Sequence, residues 1–191
     1  MKTSKRDAST AYHEAGHAVA AWHLGFKVLD ASIIRDDESL GHVAIEPEEP
    51  STCDAIARGD RWDTSRFIAE KRAMILQAGD VAQRLYNSKP VRRGHSQDDL
   101  KKCVALLRQY APDERKLDIS AHSQLLHTWT AHLIEQNWHL VEAVANALLD
   151  CPTLSGTRIN EIIGKVEEEH RMMEVQPLLD AVQAIREMRG E

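Results

Sequence analysis

The stretch STAYHEAGHAVAAW, residues 9–22, carries two histidines four residues apart, with a glutamate directly after the first. Its apolar residues and flanking signals predict a helix from about Asp7 to Leu24, with Ser9 or Thr10 as N-cap and Gly25 as the stop. On such a helix His13 and His17 project from one face, one turn apart, so two imidazole nitrogens can converge on one tetrahedral zinc. Glu14 is rotated to the flank of that metal, where it can take a proton from a zinc-activated water rather than bind the ion. Ala15 and Gly16 are small enough to let the helix lie close under other structure. The rest of the segment (Ala18, Val19, Ala20, Ala21, Trp22, Leu24) is apolar. Three ionisable groups in one turn of a buried helix are costly without a partner, and a metal ion is one.

Zinc in a catalytic site takes a third protein ligand and keeps one position open. The candidates are Asp98, Asp99, His95, His42 and the histidines at 122, 127, 132 and 139. The last four are spaced by five, five and seven, so they diverge on a helix and read better as surface or interhelical contacts. His23 lies six residues after His17, but a third ligand at that spacing needs a glycine at position 20, where the chain has Ala20.

Working outward, VLDASII and GHVAIE read as two strands joined by the turn-like RDDES, a small hairpin, and the stretch around EPEEPSTCD as an acidic loop. A second helix is expected over 62–86, with Phe67, Met74, Ala78, Val81 and Leu85 on its apolar stripe. A third runs from about Gln97 to Tyr110, with Leu100, Cys103, Leu106, Leu107 and Tyr110 inward. A long fourth helix is expected over 121–149, striped by Leu126, Trp129, Leu133, Leu140, Val144 and Leu148 and stopped by Pro152. A fifth covers INEIIGKVEEEHRMMEV, and Pro177 opens a terminal helix over 177–189. The expected fold is mainly α (α+β): one helical domain over 1–191 with a small β-hairpin after the first helix. Residues 7–110 form its metal-site half and 121–191 its helical half.

The 191 residues suffice for one such domain with a real core. A net charge of −6 without a long basic block argues against nucleic acid as partner. AVAAWHLGF, the longest apolar candidate, falls well short of the roughly 20 residues of a membrane helix. The first ten residues have no apolar signal core, so cytoplasmic residence is the expectation. Three scattered cysteines (Cys53, Cys103, Cys151) form no disulfide framework.

Several stretches, in this order, resemble the peptidase domain of the FtsH family of membrane-bound AAA+ zinc proteases. AYHEAGHAV (11–19) is similar to the family's zinc-binding helix, and VLDASIIRDDESLGHV (28–43) to the strand and turn after it. ILQAGDVAQRLYN (75–87) and GHSQDDLKKCVALLRQY (94–110) resemble two later segments, and NALLDCPTLSG (146–156) the end of its long helix. The resemblance spans about residues 10–165 and implies an aspartate as third zinc ligand. Counting from Gly94 selects Asp98; counting from the following helix selects Asp99, and helix phase favours Asp99. Gln83 and Asp80 depart from the family, which usually has a glutamate and often an arginine there. No GxxxxGK[ST] phosphate loop occurs in these residues.

What this implies is an ATP-independent, soluble zinc metallopeptidase with one Zn2+ per chain, held by His13, His17 and Asp99, and with Glu14 as its base. Its expected substrates are peptides or unfolded segments. GHVAIE offers an edge strand for them, and a homo-oligomeric state is left open. The alternative is a non-proteolytic, metal-binding scaffold or adaptor derived from the same domain.

Overall fold

The computed structural model describes residues 5–35, 40–46, 61–87, 94–109 and 118–189. Among these the chain is mainly helical with a small antiparallel sheet, as expected. Helix α1 spans Lys5–His23, followed by β1 (Val28–Ser32) and β2 (His42–Ile45). Then come α2 (Arg61–Tyr86), α3 (Gly94–Gln109), α4 (Ile119–Gln136) and α5 (Trp138–Asp150). Strand β3 (Thr153–Ser155) leads into α6 (Gly156–Arg189).

Helix α1 is the centre of the molecule. Ala11, Ala15, Ala18, Val19, Ala20 and Ala21 are wholly buried, and the helix packs against α2, α5 and β1. These side chains are small, so the neighbouring backbones can come close. At Gly16 a Cβ would lie 2.6 Å from both the Ala78 carbonyl oxygen and the Ala82 Cβ of α2. The helix ends as the sequence predicts. Gly25 has φ +86°, the Gly25 N–H donates to Trp22 O at 3.1 Å, and the Phe26 N–H donates to Ala21 O at 2.9 Å. That pair of bonds closes a helix end through a left-handed glycine.

The hairpin forms as expected, with Ser32 opposite His42 and Ala31 opposite Val43. The segment after Pro152, which is not among the expected strands, supplies β3 on the other side of β1, giving the order β2-β1-β3. Three residues are too few for an alternating pattern to register.

Helix positions follow expectation more closely than helix faces do. Ser9 and Thr10 do not cap α1, which begins a turn earlier. Ser9 is instead buried and accepts a hydrogen bond from Gln83 Nε2 at 2.7 Å. On α2 the expected inward residues Phe67 and Leu85 are exposed, and the buried line is Ala69, Ala73, Ile75, Ala78, Val81 and Ala82. Small residues win because α1 lies so close. Leu100 and Trp129 are likewise exposed. Tyr110, the RDDES turn beyond Arg35 and most of the acidic loop lie outside the described residues, as does Cys53.

The single long helix expected over 121–149 is two. It breaks at Asn137, whose φ of −106° and ψ of 23° leave the helix and whose Nδ2 donates to Leu133 O at 2.8 Å. The change of direction is needed because α4 packs mainly on α2 whereas α5 packs on α1. It also brings Trp138 to Tyr12, itself stacked on Tyr86 with ring centroids 3.9 Å apart. Conversely, the two terminal helices expected are one. Pro177 sits inside α6, and the carbonyl it frees belongs to Met173, 74% exposed, where water can satisfy it. No helix among the described residues is long and apolar enough to cross a membrane.

Two glycines test these backbone assignments. Gly25→Ala forces a side chain into the left-handed region and should cost roughly 1–2 kcal/mol of stability. Gly164→Ala, in an open position of α6, should add about 0.5–1 kcal/mol. Urea denaturation of the two variants reads both signs.

Candidate metal centre

The site is assembled by α1, α2 and α3. His13 and His17 face α2 and are nearly inaccessible to solvent, at 3% and 8% exposure. Their Nε2 atoms lie 3.1 Å apart, with the ring planes at 90°. Asp99, in the first turns of α3, brings Oδ2 to 3.2 Å from His13 Nε2 and 3.4 Å from His17 Nε2. Nδ1 of His17 donates to the Ile75 carbonyl of α2 at 2.7 Å. A neutral His17 thus spends its one N–H on Ile75, and its Nε2 faces the other two atoms as an acceptor.

Three acceptor atoms converging at 3.1–3.4 Å fit a small cation. Ligands about 2.0–2.1 Å from a tetrahedral zinc lie about 3.3 Å from one another. The donor set, two imidazoles and a carboxylate, suits zinc. His13, His17 and Asp99 could therefore hold it. Among the described residues no other group of three or more His, Cys, Asp or Glu side chains converges in this way.

Two glycines set the walls. A Cβ at Gly79 would stand 2.5 Å from His17 Nε2 and 2.7 Å from His13 Cε1, so only glycine lets α2 pass across the histidine pair. A Cβ at Gly41 would meet Glu14 Oε1 at 2.7 Å and the Ser32 carbonyl at 2.8 Å, so the backbone entering β2 lies against the Glu14 carboxylate.

The two carboxylates are tuned in opposite directions. Burial pushes Glu14 up to about 7, with the Asp99 charge adding to the rise and His17, His42 and Lys102 opposing it. Burial also works to raise Asp99, but His13 and His17 beside it hold it well below the usual carboxylate range. His17 feels burial as a lowering influence that the neighbouring Asp99 and Glu14 carboxylates outweigh, leaving it raised.

The other sequence candidates lie elsewhere. Asp98 points outward and pairs with Lys101 at 2.9 Å. His42 pairs with Asp30, His122 with Glu70 of α2, and His139 stacks on His170 of α6. His127 and His132 join no such group, His23 is exposed at the end of α1, and the His95 side chain lies outside the described residues. Gln83 and Asp80, the departures from the family pattern, are engaged with Ser9 and Arg84. Sequence reasoning missed the Ile75 carbonyl and the roles of Gly41 and Gly79. A backbone carbonyl leaves no sequence signal, whereas a glycine inside a long helix, as at position 79, does.

No protein-family model matches the chain. Mouse and human proteins, each named ATP-dependent zinc metalloprotease YME1L1, are 30% identical to it over 98 residues, half of this chain. A Chloroflexus aggregans protein named ATP-dependent zinc metalloprotease FtsH is 26% identical over 197 residues, taking in 87% of this chain. The chain spans 12%, 11% and 30% of the length of these three relatives, less than a third of any. It is thus distantly similar to FtsH-type zinc metalloproteases.

Gly79→Ala tests the packing at the centre. It should destabilise the protein by about 1–3 kcal/mol through overpacking. It should also shift the His13 and His17 ring signals in the NMR spectrum, which Gly164→Ala should leave in place.

Proposed function

We propose that this chain is a zinc-dependent peptidase domain that hydrolyses peptide bonds in peptides or unfolded segments. The observation carrying the reading is the convergence of His13 Nε2, His17 Nε2 and Asp99 Oδ2, with the buried Glu14 carboxyl on the same turn of α1. In this reading the two histidines and Asp99 hold the metal, and the Ile75 carbonyl keeps the His17 ring turned toward it. Zinc bound there supplies Lewis acidity, activating water and polarising the scissile carbonyl. Glu14 receives the proton of the attacking water and returns it to the leaving nitrogen. Burial under Gly41 keeps that carboxyl out of bulk water. Strand β2, which begins where the chain leaves Glu14, has an outer edge with no strand on it among the described residues. An extended peptide can add to such an edge through main-chain hydrogen bonds.

The relatives are named ATP-dependent, but nothing in this chemistry draws on a nucleotide. We propose that cleavage by this chain is independent of ATP. The alternative, a metal-binding scaffold without proteolysis, leaves the base without a task.

Two experiments test the reading. Elemental analysis should find about one zinc per chain. Asp99→Ala should weaken metal binding at least as much as the roughly 10–100-fold typical of losing a supporting contact, while Asp98→Ala leaves it unchanged. Equal effects of the two would refute the ligand set. Glu14→Gln should keep the zinc and lower hydrolysis of an unstructured peptide by about 10²–10⁴-fold. Zinc-loaded unmodified protein that cleaves no peptide, casein or unfolded chain would leave the scaffold reading in its place.

A further inference from the structure

We propose that Gln77 is a positioning residue for Asp99: its buried amide sets the register of α3 on α2 and so delivers the third metal ligand to the histidine pair. The inference rests on the metal-centre reading above. Gln77 lies in the short segment of α2 that serves the site in two other ways, since the Ile75 carbonyl holds His17 and Gly79 lets the rings pass. Two positions from each of these, the Gln77 side chain leaves α2 on roughly the opposite side. There its Nε2 lies 3.3 Å from Cys103 Sγ of α3, 3.0 Å from Ser123 Oγ of α4 and 3.2 Å from the Ser123 carbonyl. A carbonyl only accepts, so the amide nitrogen must face Ser123 and the orientation of the amide is fixed. One buried side chain thus ties three helices together.

Cys103 is where that tie bears on the metal. It follows Asp99 by four residues, one turn along the same face of α3. Among the described side chains of α3 only Cys103 and Leu107 are buried, in a small cluster with Ala73 and Leu126. Apolar contact is non-directional, so this cluster holds α3 against its neighbours without fixing where along α2 it stops. A hydrogen bond has a set length and direction and does fix it. Stability does not account for the amide. Gln77 Oε1 is buried and accepts no hydrogen bond among the described residues. A buried acceptor left unpaired is unfavourable, and methionine, unbranched and of similar length, would avoid that loss. What methionine lacks is the direction.

The test reads zinc affinity apart from folding stability. Zinc Kd is measured by competition with a chromophoric chelator, and urea unfolding of the zinc-free form is followed for each variant. Gln77→Met should raise the zinc Kd about tenfold, the low end of the range for losing a group that orients a metal ligand. With cobalt(II) in place of zinc, its visible absorption should weaken as Asp99 withdraws. Gly25→Ala, which destabilises the fold away from the site, should leave the zinc Kd within about twofold. In an Asp99→Ala background Gln77→Met should have no further effect, because Gln77 acts through Asp99. Ser123→Ala, which removes one of the two acceptors on α4, should act in the same direction to a smaller extent, and carries the test if Gln77→Met does not fold. An unchanged zinc Kd in Gln77→Met, or a loss that adds in full to that of Asp99→Ala, would overturn the inference and leave the metal centre in place. Unmodified protein that binds no zinc, or zinc retained undiminished in His17→Ala, would overturn the metal centre and this inference with it.

Discussion

The close contact between α1 and α2 is the constraint on which the rest depends. It requires small residues on both sides: Gly16 on α1, and Ala78, Gly79 and Ala82 on α2. Because the two backbones approach so closely, the Ile75 carbonyl comes within 2.7 Å of His17 Nδ1. That single hydrogen bond decides which ring nitrogen faces Asp99. A larger residue at 16 or 79 would push the helices apart or the rings aside, so packing and site geometry are one problem here.

The same closeness governs the electrostatics. Glu14 and Asp99 are both carboxylates near the two histidines, yet their environments separate them. Glu14 lies under the backbone of Gly41 with little compensation for its desolvation, and its proton affinity rises. Asp99 has both imidazoles beside it, and its proton affinity falls. One carboxyl is pushed toward its protonated form and the other is held as an anion. This division of labour comes from surroundings rather than from residue type.

The sheet matters out of proportion to its size. Strand β1 is locked between two partners, so among the described residues β2 is an edge beside the site. The bond from Ile33 N–H to Pro152 O, at 2.9 Å, and the Ser32 to Thr153 hydroxyl contact tie β1 to the far end of α5. The C-terminal part of the chain thereby steadies the strand that runs into the site, although it contributes no side chain to it.

The sequence by itself determined where most helices lie, the extent of α2 and the stop of α1, the hairpin, and the one-turn spacing of His13, Glu14 and His17. These depend on local periodicity, on glycine and proline, and on helix geometry. It also ranked Asp99 above Asp98, because helix phase carries direction. Only the tertiary structure decided which residues face inward on α2, where α1 demands alanine rather than phenylalanine. It alone decided that the chain turns at Asn137, since two successive helices pack on different partners, and that Pro177 lies within a helix, since solvent takes up the freed carbonyl. The meeting of α1 with α3, 86 residues apart along the chain, is likewise invisible to local pattern. So is the service of the Ile75 backbone to His17, because a carbonyl oxygen is present at every residue and only the fold selects one.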